Sequence, residues 1–253
     1  MTALLEARGI TKRFGALVAC QDVSLQVEAG TIHALIGPNG AGKTTIVSQL
    51  AGELRPDAGS VLFDGRDVTG LPVDRRVRAG LARSFQVSNT LLGFSLRENV
   101  ALAVQARHGH SFRFWADASA DAALNAEAEE ALAAVGLADR RHRLAGEVSH
   151  GERRLLELAI ALATRPKLLL LDEPMAGLGP EEGRGMVEML RRLRGGFGIL
   201  LVEHDMDAVF SLADRISVLV YGRVVASGPP DAIRRDPEVR RAYLGEEEDD
   251  LIS

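Results

Sequence analysis

"GPNGAGKTT", Gly37 to Thr45, fits the pattern G-x-x-x-x-G-K-[ST], and its reading decides how the rest of the chain is understood. Gly37, Gly40 and Gly42 let the backbone curl with its N–H groups pointing inward, a cradle for phosphate that Pro38, Asn39, Ala41 and Thr45 complete. Lys43 then reaches the β- and γ-phosphates of a nucleotide, and the Thr44 hydroxyl ligates Mg²⁺. The flanks agree. "TIHALIG" before the loop reads as a strand, and "KTTIVSQLAGEL" after it reads as a helix.

Outward from the loop, "ALLEARGI", "VSLQV" and "SVLFDG" are short apolar segments bounded by turn residues, so the first sixty-odd residues read as strand-rich. From about residue 74 to 163 the pattern turns helical. There Leu124, Ala128, Ala131, Leu132 and Val135 are spaced to form one buried face. A second alternation follows. "PKLLLLDEP" and "GILLVEHD" are apolar runs suited to a parallel sheet buried on both faces, and "ISVLVYG" and "RVVASG" close the fold as strands. The expectation is an α/β core interrupted by a mostly helical insertion.

The bulk numbers narrow the function. A chain of 253 residues can bury a sizeable core, and a formal net charge of -5 argues against a dedicated nucleic-acid binder. The single cysteine, Cys20, excludes an internal disulfide framework and reads as a small core residue. The N-terminal apolar run is too short for a signal peptide, and no ~18-residue apolar window occurs, so the expected location is cytoplasmic. The run "GEEEDD" near the C-terminus reads as a solvated end, and Trp115 with Phe112 and Phe114 as satellite core.

Four further stretches carry chemistry. "LLLLDEP" puts Asp172 and Glu173 at the carboxyl end of a strand, where open α/β sheets bind ligands. Asp172 is placed to hold the Mg²⁺ shell, and Glu173 to orient or deprotonate an attacking water. Glu203 and His204 end another strand, from which an imidazole reaches toward the γ-phosphate or the water. Gln86 in "ARSFQ" is a polar side chain ahead of the helical insertion that could touch Mg²⁺ or water, and read alone it carries no meaning. "EVSHGERRLLELA", Glu147 to Ala159, reads as a helix beginning at a Ser-x-Gly turn, a second start suited to an anion.

In that order the glycine loop, Gln86, "VSHGE", "LLLLDEP" and His204 resemble the nucleotide-binding subunit of ATP-binding cassette (ABC) transporters, over essentially the whole chain. The resemblance implies a P-loop NTPase core with an antiparallel β subdomain and a helical, signature-bearing subdomain. It assigns residues 1–86 and 164–245 to the core, 87–163 to the helical part and 246–253 to an acidic tail. It implies ATP and Mg²⁺ as cofactors, and a head-to-tail dimer with a second ATPase subunit. Ser149 and Gly151 would then cover the nucleotide on the partner's phosphate loop. Phe14 would stack on adenine, Gln86 would sit at the hinge where a membrane partner is sensed, Glu173 would be the catalytic base and His204 the switch histidine.

"EHDM", the long insertion after "ENVALAV" and "DPEVRRAYLG" look like the ATPase subunits of branched-chain amino-acid importers. That resemblance implies transmembrane permease subunits, an indirectly linked solute-binding protein, and a position on the inner face of the cell membrane. Importers of urea or short amides, and soluble ABC ATPases of the iron–sulfur-assembly type, stand as alternatives, as does a nucleotide-gated module without turnover. Three residues depart from the family pattern. His150 replaces a glycine and requires a negative φ or a tolerated left-handed backbone. Glu152 brings a carboxylate toward the expected γ-phosphate. Gly179 stands where Asp or Asn is usual, so a side-chain contact across the dimer would be missing.

Overall fold

A computed structural model describes residues 3–84, 90–108 and 122–241. Two sheets build it. β1 (Ala3–Phe14), β2 (Leu17–Glu28), β4 (Ala58–Phe63) and β5 (Arg66–Asp67) form an antiparallel sheet in the order β2-β1-β4-β5. The larger sheet contains β3 (Ile32–Ile36), β6 (Leu81–Arg83), β7 (Leu168–Asp172), β8 (Gly198–Val202), β9 (Arg215–Val220) and β10 (Arg223–Gly228), in the order β10-β9-β3-β8-β7-β6. All its neighbours pair in parallel except the β9–β10 hairpin, whose turn at Tyr221 and Gly222 carries two positive φ angles, 46° and 75°.

The apolar runs behave as their composition dictates. β3, β7 and β8 are buried at every position. Along β7, Leu169 and Leu171 enter the core shared with the helical part, while Leu168 and Leu170 enter the core between the two sheets. Both faces of this sheet are therefore covered. The helical part consists of α3 (Leu96–His108), α4 (Ala122–Ala134) and α5 (His150–Ala163). The face expected on α4 is the one that packs: Ala128, Ala131, Leu132 and Val135 are buried, with Leu124 packed against them. α6 (Pro180–Leu193) and α7 (Met206–Leu212) connect the later core strands, and α8 (Pro230–Arg235) and α9 (Pro237–Val239) pack beside β10. Among the described residues, no helix is long and apolar enough to cross a membrane.

The structure departs from the sequence reading in three places. β1 and β2 each run well beyond the apolar segments that marked them, because the outer half of their hairpin is polar and partly solvent-facing, with Lys12 paired to Asp57. The stretch read as continuously helical begins with α2 (Val73–Ala79) but then gives β6, a three-residue edge strand pairing with β7. The first helix, α1 (Lys43–Ala51), stops three residues short of Leu54, because Gly52 takes a left-handed cap at φ 88°.

α1 is anchored at its far end by a buried cation. Arg76 of α2 donates to the carbonyls of Gln49 (2.8 Å), Leu50 (2.6 Å), Leu71 (3.0 Å) and Thr69 (3.0 Å). Burial lowers its pKa to about 10, so it stays charged at neutral pH. Cys20 is buried, accepts from Gln49 Nε2 at 3.1 Å and has its thiol pKa raised by burial, as expected of a core residue.

Candidate active site

Three neighbouring strands deliver the chemistry to one end of the main sheet. β3, β8 and β7 lie side by side and parallel, so their carboxyl ends point the same way. The phosphate loop follows β3, Glu203 and His204 follow β8, and β7 ends in Asp172 with Glu173 immediately after.

The loop requires its glycines for two separate reasons. A Cβ on Gly37 would sit 2.2 Å from the Leu219 carbonyl oxygen of β9. One on Gly42 would sit 2.3 Å from the Ala19 carbonyl oxygen of β2, and Gly42 also has φ 103°. The loop is thus pressed between both sheets. Pro38, Asn39 and Gly40 are exposed at its crest, Ala41 N donates back to Pro38 O at 3.2 Å, and Ala41 O accepts from Gly222 N at 3.0 Å. Lys43 is buried, with Nζ donating to the carbonyls of Gly37 (2.6 Å) and Pro38 (3.1 Å). Burial lowers its pKa, against the opposing pull of Glu173 and Asp172, which places both carboxylates within electrostatic reach of the ammonium. Thr44 is exposed on the first turn of α1, and Thr45 is half-buried beside it. No side chain caps that turn, which leaves its first backbone N–H groups suited to an anion.

Asp172 is buried. Its Oδ2 accepts from Arg83 Nη2 at 2.8 Å, whereas Oδ1 is buried without a hydrogen-bond partner among the described residues. Burial raises the Asp172 pKa, with the Arg83 guanidinium opposing it. A buried carboxylate oxygen lacking a donor is costly, and it suits a cation ligand. With the Thr44 hydroxyl, this all-oxygen donor set fits Mg²⁺, and the uncapped first turn of α1 fits a nucleotide's phosphates. Glu173 sits at φ 50°, a left-handed backbone that is uncommon for a residue with a Cβ. Its N–H donates to Val202 O of β8 at 2.8 Å, which helps hold this turn.

The loops after β7 and β8 are tied together by Glu203. This buried carboxylate accepts from Met175 N at 2.8 Å and from His204 N at 3.1 Å, and its pKa is raised by burial. His204 itself is exposed, with Nδ1 3.8 Å from Glu203. Phe14 ends β1 and is 50% exposed. It pairs in register with Leu17, two residues before the Ala19 that touches the loop, and its ring lies 5.8 Å from Lys12 Nζ. Gln86 lies outside the described residues, as do Phe112, Phe114, Trp115 and the acidic tail.

The signature stretch forms the start of α5. Ser149 is its exposed N-cap, and His150 is the first helical residue with a negative φ, so replacing glycine there is not strained. Glu152 turns back onto its own helix. It accepts from Ser149 N at 2.9 Å and pairs with Arg140, which accounts for its carboxylate within the chain. Gly151 is buried against α6, where an added Cβ would meet Glu182 Oε1 at 2.4 Å. Gly179 caps α6 by its backbone alone, its N–H donating to Glu182 Oε2 at 3.1 Å.

The sequence reading missed Arg83 altogether, and placed Glu203 only at a strand end. Arg83 carries no motif of its own, since a lone arginine near a strand end has no distinctive pattern. The role of Glu203 in joining two loops depends on a contact across 28 residues of sequence. The tie of Glu152 to Ser149 was signalled by the S-x-x-E spacing.

Comparison with known proteins gives the family. Residues 20–176 match the model of the ABC transporter family, and residues 223–249 match that of the branched-chain amino acid ATP-binding cassette transporter. The chain belongs to the ABC transporter family as one of its ATP-hydrolysing cassettes. It is 39% identical over 252 residues to the high-affinity branched-chain amino acid transport ATP-binding protein BraF of Pseudomonas aeruginosa, covering 96% of this chain and 98% of that one. It is 38% identical over 255 residues to LivG of Escherichia coli (strain K12), covering 96% and 98%. A solved structure titled as the ADP conformation of MJ1267, an ATP-binding cassette of an ABC transporter, superposes with a TM-score of 0.85 at 28% identity, over 97% of this chain and all of that one.

Proposed function

We propose that this chain hydrolyses ATP to power import of branched-chain amino acids through a membrane permease, paired head to tail with a second ATPase chain. The observation that carries the ATPase half is the convergence of the phosphate loop, His204 and the Asp172–Glu173 pair at the carboxyl ends of β3, β8 and β7. The solute is supported by the relatives' names and by the match over residues 223–249.

In this reading the loop N–H groups and Lys43 hold the phosphates, and Phe14 stacks on the base. Thr44 and Asp172, with Gln86, would hold Mg²⁺, which would supply charge neutralisation at the phosphates. Glu173 accepts the proton of the attacking water, and His204 orients that water or the γ-phosphate. Ser149 Oγ accepts from Glu152 N and gives its own proton to no acceptor among the described residues. Its hydroxyl can therefore donate to the partner's γ-phosphate while the Gly151 turn packs behind it. Loss of that phosphate removes the ligand the two chains share, and the dimer opens.

The chain docks peripherally on the inner face of the membrane. A groove of about 780 Å³ between α2, β6, α3 and α5 suits a permease segment, with Val77, Ala82, Ala103 and Ile160 in its lining and Arg78 and Arg165 among its charged residues. It opens beside the strand that leads to Gln86. The solute would touch the permease and its binding protein, not this chain.

The test is to purify the tagged chain from gently solubilised membranes, identify every companion, and reconstitute the assembly. Two multi-span proteins, a second ATPase, and ATP turnover stimulated by a leucine-loaded binding protein are expected. Stimulation by urea or short amides instead would overturn the solute, and soluble companions alone would overturn transport.

A further inference from the structure

Arg83 joins three elements with one side chain. It ends β6, and only 8% of the side chain is exposed. Nη2 donates to Asp172 Oδ2 at 2.8 Å, Nη1 donates to Ser48 Oγ of α1 at 3.2 Å, and Nη1 also pairs with the Glu53 carboxylate just beyond α1. A guanidinium is a rigid planar fork, so fixing one arm on α1 fixes what the other arm presents to Asp172. Oδ2 is occupied by that arm, and Oδ1 is the buried oxygen left without a donor. α1 begins at Lys43 and Thr44, so the helix that carries the Thr44 hydroxyl is the same one that steadies Arg83.

We infer that Arg83 is a positioning residue for the metal site: it holds Asp172 so that Oδ1 is the oxygen presented to a divalent cation, and keeps that carboxylate in register with Thr44 through α1. The inference rests on the reading that a divalent cation accompanies the nucleotide on Thr44 and Asp172.

Two effects of removing Arg83 oppose each other. Charge alone predicts tighter cation binding, because a positive group leaves the neighbourhood of Asp172. Orientation predicts weaker binding, because a buried carboxylate released from its donor rotates or turns onto Lys43. Partners behind metal ligands commonly contribute 10–100-fold to metal affinity, so orientation outweighs charge here.

The experiment uses the purified complete assembly and two equilibrium measurements. One is Mn²⁺ affinity, by electron paramagnetic resonance, with a non-hydrolysable ATP analogue at saturation. The other is the analogue's own affinity in EDTA. Arg83→Met is expected to weaken Mn²⁺ by roughly 10–100-fold while leaving analogue affinity in EDTA within about threefold. Arg83→Lys should recover part of the loss, since an ammonium meets Asp172 but does not span to Ser48 and Glu53. If Arg83→Met does not fold, the Ser48→Ala, Glu53→Gln double variant keeps the Arg83–Asp172 pair and cuts its anchor, and a several-fold weaker Mn²⁺ affinity is expected. Unchanged or tighter Mn²⁺ binding, or equal loss of analogue affinity in EDTA, overturns the inference. A wild-type assembly that binds the analogue but no Mn²⁺ overturns the cation reading itself.

Discussion

Ser149 and Glu152 exchange hydrogen bonds at the start of α5: Glu152 N donates to Ser149 Oγ at 3.2 Å, and Ser149 N donates to the Glu152 carboxylate at 2.9 Å. This reciprocal cap satisfies two donors that the first turn of a helix otherwise leaves bare. It also explains how an acidic residue is accommodated beside the proposed anion site, because Glu152 is engaged by its own helix and by Arg140. Replacing Glu152 by Gln keeps an acceptor for Ser149 N, so stability by urea denaturation should change by less than about 0.5 kcal/mol. Glu152→Ala should cost about 1 kcal/mol. Equal stability of the Ala variant and wild type would show that the cap contributes nothing.

Glu173 stands at the end of β7 with its backbone held by Val202 O. Glu173→Gln preserves shape and removes the proposed base. ATP affinity should persist while turnover drops by at least ~100-fold, the low end of what a positioned base contributes. Steady-state phosphate release checks this, and near-normal release would take Glu173 out of the role.

Lys43 and Ser149 should separate binding from turnover. Lys43→Ala removes the ammonium from the loop and should weaken ATP affinity measured by calorimetry on the isolated chain. Ser149→Ala should leave that affinity unaltered and lower turnover only in the assembled dimer. A Ser149→Ala chain whose own ATP affinity falls as far as that of Lys43→Ala would contradict the head-to-tail arrangement.

His33 makes stability depend on pH. It is buried between Gln26 O (2.7 Å) and Ser217 Oγ (2.8 Å), and burial first, then Arg215, lowers its pKa from 6.5 to about 4. The unfolded chain therefore binds the proton more readily than the folded one between those values. Stability present above pH 6.5 is lost as pH falls toward 4. Between pH 7.5 and 5 the loss from this residue is about 2 kcal/mol. Urea denaturation of His33→Gln across that range should show a shallower pH slope than wild type, and an identical slope would assign the dependence to other groups.

Much of the fold was legible because its central strands are unambiguous. β3, β7 and β8 are apolar throughout, and each leads straight into a residue pattern with a specific chemistry. The outer half of the β1–β2 hairpin was not legible, because polar residues on a twisted edge carry no alternation. β6 was hidden by its length, since three residues set no period. The site was legible wherever a motif is local, as in the loop and the Asp172–Glu173 pair. It was not where the contact is distant, as with Arg83 reaching Asp172 across 89 positions. Glu152 is accounted for within the chain once its spacing from Ser149 is read as a cap.

Arg76 has a consequence for how mutation can act on α1. The helix offers an anion its N-terminal pole through peptide N–H groups that no side chain caps, and it meets a guanidinium at the opposite pole. The first pole is written in backbone that only Gly42, its N-cap at φ 103°, allows, since a Cβ there would lie 2.3 Å from Ala19 O. The second depends on a single residue and on the glycine beneath it, since a Cβ at Gly52 would lie 2.7 Å from Arg76 Nε. Drift in this helix is thus barred at both caps: Gly52 is held by its φ of 88° and by the Leu71 carbonyl 2.9 Å from any Cβ as well as by Arg76, and Gly42 by its own left-handed backbone.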